Sequence, residues 1–122
     1  YIRKPVTMFK YFAFSAALLI FISCKKDEST SGIAPCMQAQ IDSSLAKPRG
    51  HMYLKIDAYK YQGKDVYLYY PGWGDAYNEL KDENCMYLFA PSGGFSGSGD
   101  GTHPDFRNEA IFISTIWVDP RP

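Results

Sequence analysis

The chain has only three cysteines and two histidines among 122 residues, and its charges cancel, 13 Lys and Arg against 13 Asp and Glu. Neither Cys36 nor Cys85 has a second thiol at short spacing, which removes the paired-thiolate zinc sites. HExxH, the EF-hand spacing and a serine-nucleophile motif are all missing. Lys and Arg are not clustered, so nucleic acid is not expected as a partner, because phosphate binding needs such clusters. No internal repeat is present, and no cofactor is implied. The longest apolar run, Tyr11 to Ile22, is about a dozen residues, short of the roughly 18 or more that a membrane span requires.

What that run does have is the right company. Lys10 precedes it, and Ser23, Cys24, Lys25, Lys26, Asp27 and Glu28 follow. A positive start, a short apolar stretch and a small residue before a cut mark a secretory signal. Ile22, Ser23 and Cys24 resemble the end of a bacterial lipobox, with Phe21 where leucine is most common. That resemblance implies cleavage before Cys24, a diacylated sulfur and an acylated new amine. The competing reading is a buried helix that happens to end in a cysteine. Each buried lipid methylene contributes about 0.8 kcal/mol, and two or more chains hold stably, so the partner implied is the membrane, through acyl chains on Cys24. Met8 is a plausible true start.

Charge follows the same division. All acidic residues lie after Cys24, whereas Arg3, Lys4 and Lys10 lie before it. Ten basic against thirteen acidic residues then leave the mature chain at about −3. The run "CKKDES" resembles the export signal that sends Bacteroidota lipoproteins to the outer face of the outer membrane; a solvated tether is the plainer reading. The expected organisation is a signal peptide over 1–23, the lipidated cysteine and a flexible tether over 24–35, and one small domain over 36–122.

That domain is long enough for one modest core. "PCMQAQIDSSLAKPRG" puts Met37, Ile41 and Leu45 on one face after Pro35, which predicts a helix from Cys36 to Ala46. "HMYLKIDAYKY" and "DVYLYY" alternate as two strands. "AYNEL" and "CMYLFA" read as a second hairpin around Asp82, Glu83 and Asn84. The stretch from Pro91 to Pro104 reads as a glycine-rich surface loop. A turn of helix near Asp105 to Glu109 and a strand from Ile111 to Val118 complete the chain. The fold class is α+β: a small antiparallel sheet of four or five strands with the N-terminal helix on one face.

In the first hairpin, a three-residue loop from Tyr61 to Gly63, with Gly63 left-handed, would set Ala58 opposite Val66. Met52, Leu54, Ile56 and Leu68 would then share one buried face. The other face would carry Tyr53, Tyr59, Tyr61, Tyr67 and Tyr69, with Trp73 beyond it. Exposed aromatics of this kind suit a glycan or a protein partner, unless the C-terminal segment covers them. Cys36 and Cys85, two thiols in an oxidising compartment, suggest a disulfide, with two free or separately buried thiols as the alternative.

Cys36 to Arg121 resembles a family of small Bacteroidota lipoproteins, on the residues "CMQAQID", "YKYQGKDVYLYYP", "APSGGFSGSGDG" followed by "PDF", and "IWVDPR". Members of that family carry further cysteines where this chain has Trp73, Gly74, Phe89 and His103. The resemblance therefore implies a fold and an address, with no reaction attached.

Asp100, His103 and Asp105 are the weak candidates for a metal site or for acid and base chemistry. Asp100 before Gly101 also reads as a turn former, and Asp105 as a helix cap. "GGFSGSGDG" lacks the GxGxxG spacing of a phosphate cradle. Two functions follow from these residues: a non-enzymatic surface binding or accessory module, and alternatively a small hydrolase or metal-dependent enzyme built on Asp100, His103 and Asp105.

Overall fold

Pro35, which lacks an amide hydrogen, begins helix α1 (Pro35–Leu45) at the position where none is needed. The structure, a computed structural model, describes residues 32–122; the expected signal segment, Cys24 and the first part of the tether lie outside the described residues. Met37, Ile41 and Ser44 form the buried side of α1. Its C-terminal carbonyls are taken up by Arg121, whose guanidinium donates to the oxygens of Ser44 (3.1 Å), Leu45 (3.3 Å) and Lys47 (2.7 Å). Asp119 holds that guanidinium at 2.7 Å with a fully buried carboxylate. Among the described residues no helix is long and apolar enough to cross a membrane.

Five antiparallel strands follow: β1 (Tyr53–Tyr61), β2 (Lys64–Pro71), β3 (Tyr77–Lys81), β4 (Tyr87–Gly93) and β5 (Ile111–Val118), in the spatial order β4-β3-β2-β1-β5. The first four form a meander. The chain then returns across the sheet through the short helix α2 (Phe106–Glu109) and sets β5 beside β1. The fold is α+β, with α1 packed on one face of the sheet.

The middle of the sheet is covered on both faces. Met37 and Ile41 of α1 pack on Ile56 and Tyr69. On the opposite face Phe106 of α2 packs with Tyr61, Val66, Leu68, Leu80 and Phe89. This corrects the expected hairpin. The β1–β2 turn has two residues, Gln62 (φ 50°) and Gly63 (φ 75°), and the register sets Ala58 against Tyr67 and Tyr59 against Val66. Two successive left-handed residues give a turn whose twist matches the strands. Gln62 is a residue that rarely adopts this conformation, and so the sequence points elsewhere. Gly63 is left-handed as expected.

The two edges of the sheet are closed differently. Beside β4, the Gly93 to Asp100 segment folds back: Gly99 N–H donates to Gly93 O at 3.0 Å, and Asp100 N–H to Ala90 O at 2.9 Å. A β-carbon on Gly99 would lie 2.1 Å from the Ala90 oxygen, so only glycine allows this approach. The glycine-rich loop expected at the surface is thus the cover of an edge. Strand β5 carries two bulges where it pairs with β1, a device that twists an edge away from further pairing. It needs one, because Ile111, Phe112, Ile113 and Val118 are all more than half exposed.

Under α1, Lys81 is buried between the rings of Tyr53 and Tyr69, 4.8 and 4.5 Å from their centroids. Its ammonium donates to Tyr53 Oη (2.8 Å) and Gln40 Oε1 (3.3 Å), and Tyr53 O–H donates to Glu79 at 2.7 Å. The network is closed: no buried side-chain nitrogen or oxygen among the described residues lacks a partner. A disulfide between Cys36 and Cys85, 49 residues apart, ties the start of α1 to the β3–β4 turn.

Candidate functional site

Asp100, His103 and Asp105 lie in the return from β4 to β5, and each has a structural partner. Asp100 Oδ2 accepts the Ala90 N–H at 2.9 Å, while Oδ1 accepts the Thr102 N–H and hydroxyl at 3.0 and 2.7 Å. These bonds, that from Ala90 first, hold the Asp100 carboxyl down at about 2. Asp105 is the residue before α2 but makes no side-chain cap. It accepts instead a 2.6 Å hydrogen bond from Tyr61 O–H, which lowers the Asp105 carboxyl and pushes the Tyr61 phenol up to about 12. The imidazole of His103 stacks on Phe89, centroids 3.7 Å apart, with Nδ1 2.8 Å from the Thr102 hydroxyl. Among the described residues no group of three His, Cys, Asp or Glu side chains is arranged to hold a metal ion.

The tyrosines expected on one exposed face are divided between two covered ones. Tyr53, Tyr67 and Tyr69 belong to the α1 side, and Tyr59 and Tyr61 to the α2 side. Tyr69 is fully buried, its phenol pushed up to about 12, mainly by burial. Tyr59 lies against Phe106 and Phe112, with centroids 5.5 and 5.6 Å away. Of the set, only Trp73 is largely exposed, beyond the end of β2. A period of two assigns residues to alternate faces, but here both faces are dry, so alternation of Tyr with Leu or Val cannot mark the wet one.

A concave surface lies at the end of the sheet formed by the β1–β2 and β3–β4 turns. One cleft of about 320 Å³ is bordered by Tyr61, Gln62, Tyr87, Phe89 and His103. A second, of about 450 Å³, is bordered by Lys60, Asp65, Asp82, Glu83 and Asn84. Lys64, Val66 and Leu88 line both, so the two run together. In the β3–β4 turn Asp82 Oδ1 accepts the N–H groups of Asn84 and Met86, each at 2.9 Å, which leaves Glu83 and Asn84 at the tip. Of these groove residues, Tyr61 and His103 were expected in other roles and Asp82, Glu83 and Asn84 only as a turn; Lys64, Tyr87 and Leu88 were not singled out in the sequence. The available signal was the order of elements, since a meander brings alternate turns to the same end of a sheet.

The family described as Domain of unknown function (DUF6970) matches residues 42–119. The chain belongs to this family. The DUF6970 match runs from the middle of α1 to Asp119, so it contains every strand and Cys85 but not Cys36. No curated protein and no solved structure shows significant similarity to the chain.

Proposed function

We propose that the chain is the precursor of a lipoprotein, held at the outer membrane by acyl chains on Cys24 and facing the cell exterior. There it serves as a non-enzymatic binding or accessory module. The observation that carries this reading is the sequence Ile22, Ser23, Cys24 at the end of a short apolar run, followed at once by Lys25, Lys26, Asp27 and Glu28. A disulfide in the domain agrees with an oxidising compartment. The resemblance to small Bacteroidota lipoproteins supports the same address, while membership of DUF6970 assigns no activity. Asp100 and Asp105 are engaged with Ala90 and Tyr61, which favours binding over acid and base catalysis.

The test is made in cells. Cys24→Ala should abolish labelling by palmitate and leave the precursor uncut; normal labelling of that variant would overturn the anchor. Replacing Lys25, Lys26, Asp27 and Glu28 with alanine should protect the protein from protease added to intact cells. Unchanged digestion would overturn the role given to those four residues.

A further inference from the structure

The groove at the turn end of the sheet has two chemically different halves. Its aromatic half presents Tyr87, 56% exposed, beside the stacked rings of Phe89 and His103. Its polar half presents the side chains of Lys64, Glu83 and Asn84, which hold no hydrogen bond or ion pair among the described residues. Each half falls in the range of about 300 to 1,000 Å³ typical of small-ligand sites. The Tyr87 ring shares its cleft with the unengaged ammonium of Lys64, and Lys64 also borders the cleft that holds the unengaged carboxylate of Glu83 and amide of Asn84. The groove thus offers apolar stacking together with donors and acceptors. A sugar ring makes the same combination, with C–H bonds on its face and hydroxyls at its rim.

Charge narrows the class. The polar half sets Lys60 and Lys64 against Asp65, Asp82 and Glu83, and Lys60 is already paired with Asp65 at 2.7 Å. A phosphate or a uronate would meet a surplus carboxylate there, whereas an uncharged hydroxyl can donate to Glu83 and accept from Lys64. We propose that the groove binds a neutral sugar residue of a glycan, its ring stacked on Tyr87 and its hydroxyls bonded to Lys64, Glu83 and Asn84. The assignment rests on the reading of the chain as an exterior binding module and names what that module binds.

Affinity electrophoresis tests it, using the full-length acylated protein in a polyoxyethylene detergent and gels carrying a mannan, an uncharged glucan or polygalacturonate. A neutral polymer should retard the protein. Tyr87→Ala should weaken that retardation about tenfold and Tyr87→Phe should preserve it, since the ring supplies the contact. Glu83→Gln and Lys64→Met should each weaken it several-fold. Phe95→Ala, at the other end of β4, should leave it unchanged. Retardation by polygalacturonate alone, by no polymer, or equally in wild type and Tyr87→Ala would overturn the assignment. So would competition for the groove by a protein that leaves Tyr87→Phe bound and the polymers free. Protein that carries the acyl label and is cut on intact cells but fails these gels loses the sugar assignment alone; protein without acyl label loses the anchor alone.

Discussion

The carboxylate of Asp100 takes the place of a neighbouring strand for Ala90: it accepts the Ala90 N–H at 2.9 Å while the Asp100 N–H returns a 2.9 Å bond to the Ala90 oxygen. An edge residue of β4 thereby has both backbone groups satisfied by one residue of the following loop. The charge of Asp100 serves the fold here, and the same holds for Asp119, whose carboxylate orients Arg121 beneath α1.

These two carboxylates give the pH dependence its direction. Hydrogen bonds from Ala90 and Thr102 hold Asp100 at about 2, and Arg121 holds Asp119 at about 2, below the ordinary value of about 3.9. A carboxyl depressed in the folded state adds stability above its unfolded value and loses it as the pH falls through the folded one. Stability to urea should be level from pH 7 to about 5 and then decline toward pH 2. The double variant Asp100→Asn with Asp119→Asn should show a shallower acid decline. An identical profile would exclude both residues as its source.

The β1–β2 turn predicts an opposite pair of effects. A β-carbon at Gly63 meets no atom within 4 Å, so the cost of substitution there is conformational. Gly63→Val should destabilise by about 1 to 2 kcal/mol more than Gly63→Asn, because asparagine tolerates the left-handed region. Gln62, also left-handed, should gain up to about 1 kcal/mol on replacement by Asn or Gly. Thermal melts of the four variants check this; a Gln62→Gly protein that melts below wild type would contradict it.

Loss of the Cys36–Cys85 bridge should be costly for a domain of this size. Closing 49 residues contributes roughly 3 to 4 kcal/mol in the chain-entropy model. Cys36→Ser with Cys85→Ser should shift the urea midpoint accordingly, and reductant should reproduce the shift in wild type while leaving the double variant unmoved.

Arg121 is expected to be irreplaceable by lysine. Its guanidinium serves three carbonyls at the end of α1 and both oxygens of Asp119, a fork that a single ammonium cannot reproduce. Amide exchange in the last turn of α1 should accelerate about tenfold in Arg121→Lys, with β2 and β3 little changed. Uniform acceleration throughout the domain would mean that Arg121 supports more than the helix end.

What the sequence determined by itself was local. Pro35 with apolar residues at steps of four specified α1, β-branched residues specified β5 from Ile111 to Val118, and Asp82 to Asn84 marked a turn. Each depends on neighbours a few residues away, so each is written in a short window. The tertiary structure decided which surfaces are wet. Two dry faces arise because α1 and α2 approach the sheet from opposite sides, so Tyr59 and Tyr61 became core beside Val66 and Leu68. Long-range packing also converted Asp100 and Asp105 from candidate catalytic groups into partners of Ala90 and Tyr61, residues 10 and 44 positions away. Likewise Lys64 comes to border both the cleft of Glu83 and Asn84 and that of Tyr87 because the meander brings two turns to one end of the sheet. A residue's spacing fixes which way it leaves the backbone, but what it then meets depends on elements that arrive from elsewhere in the chain.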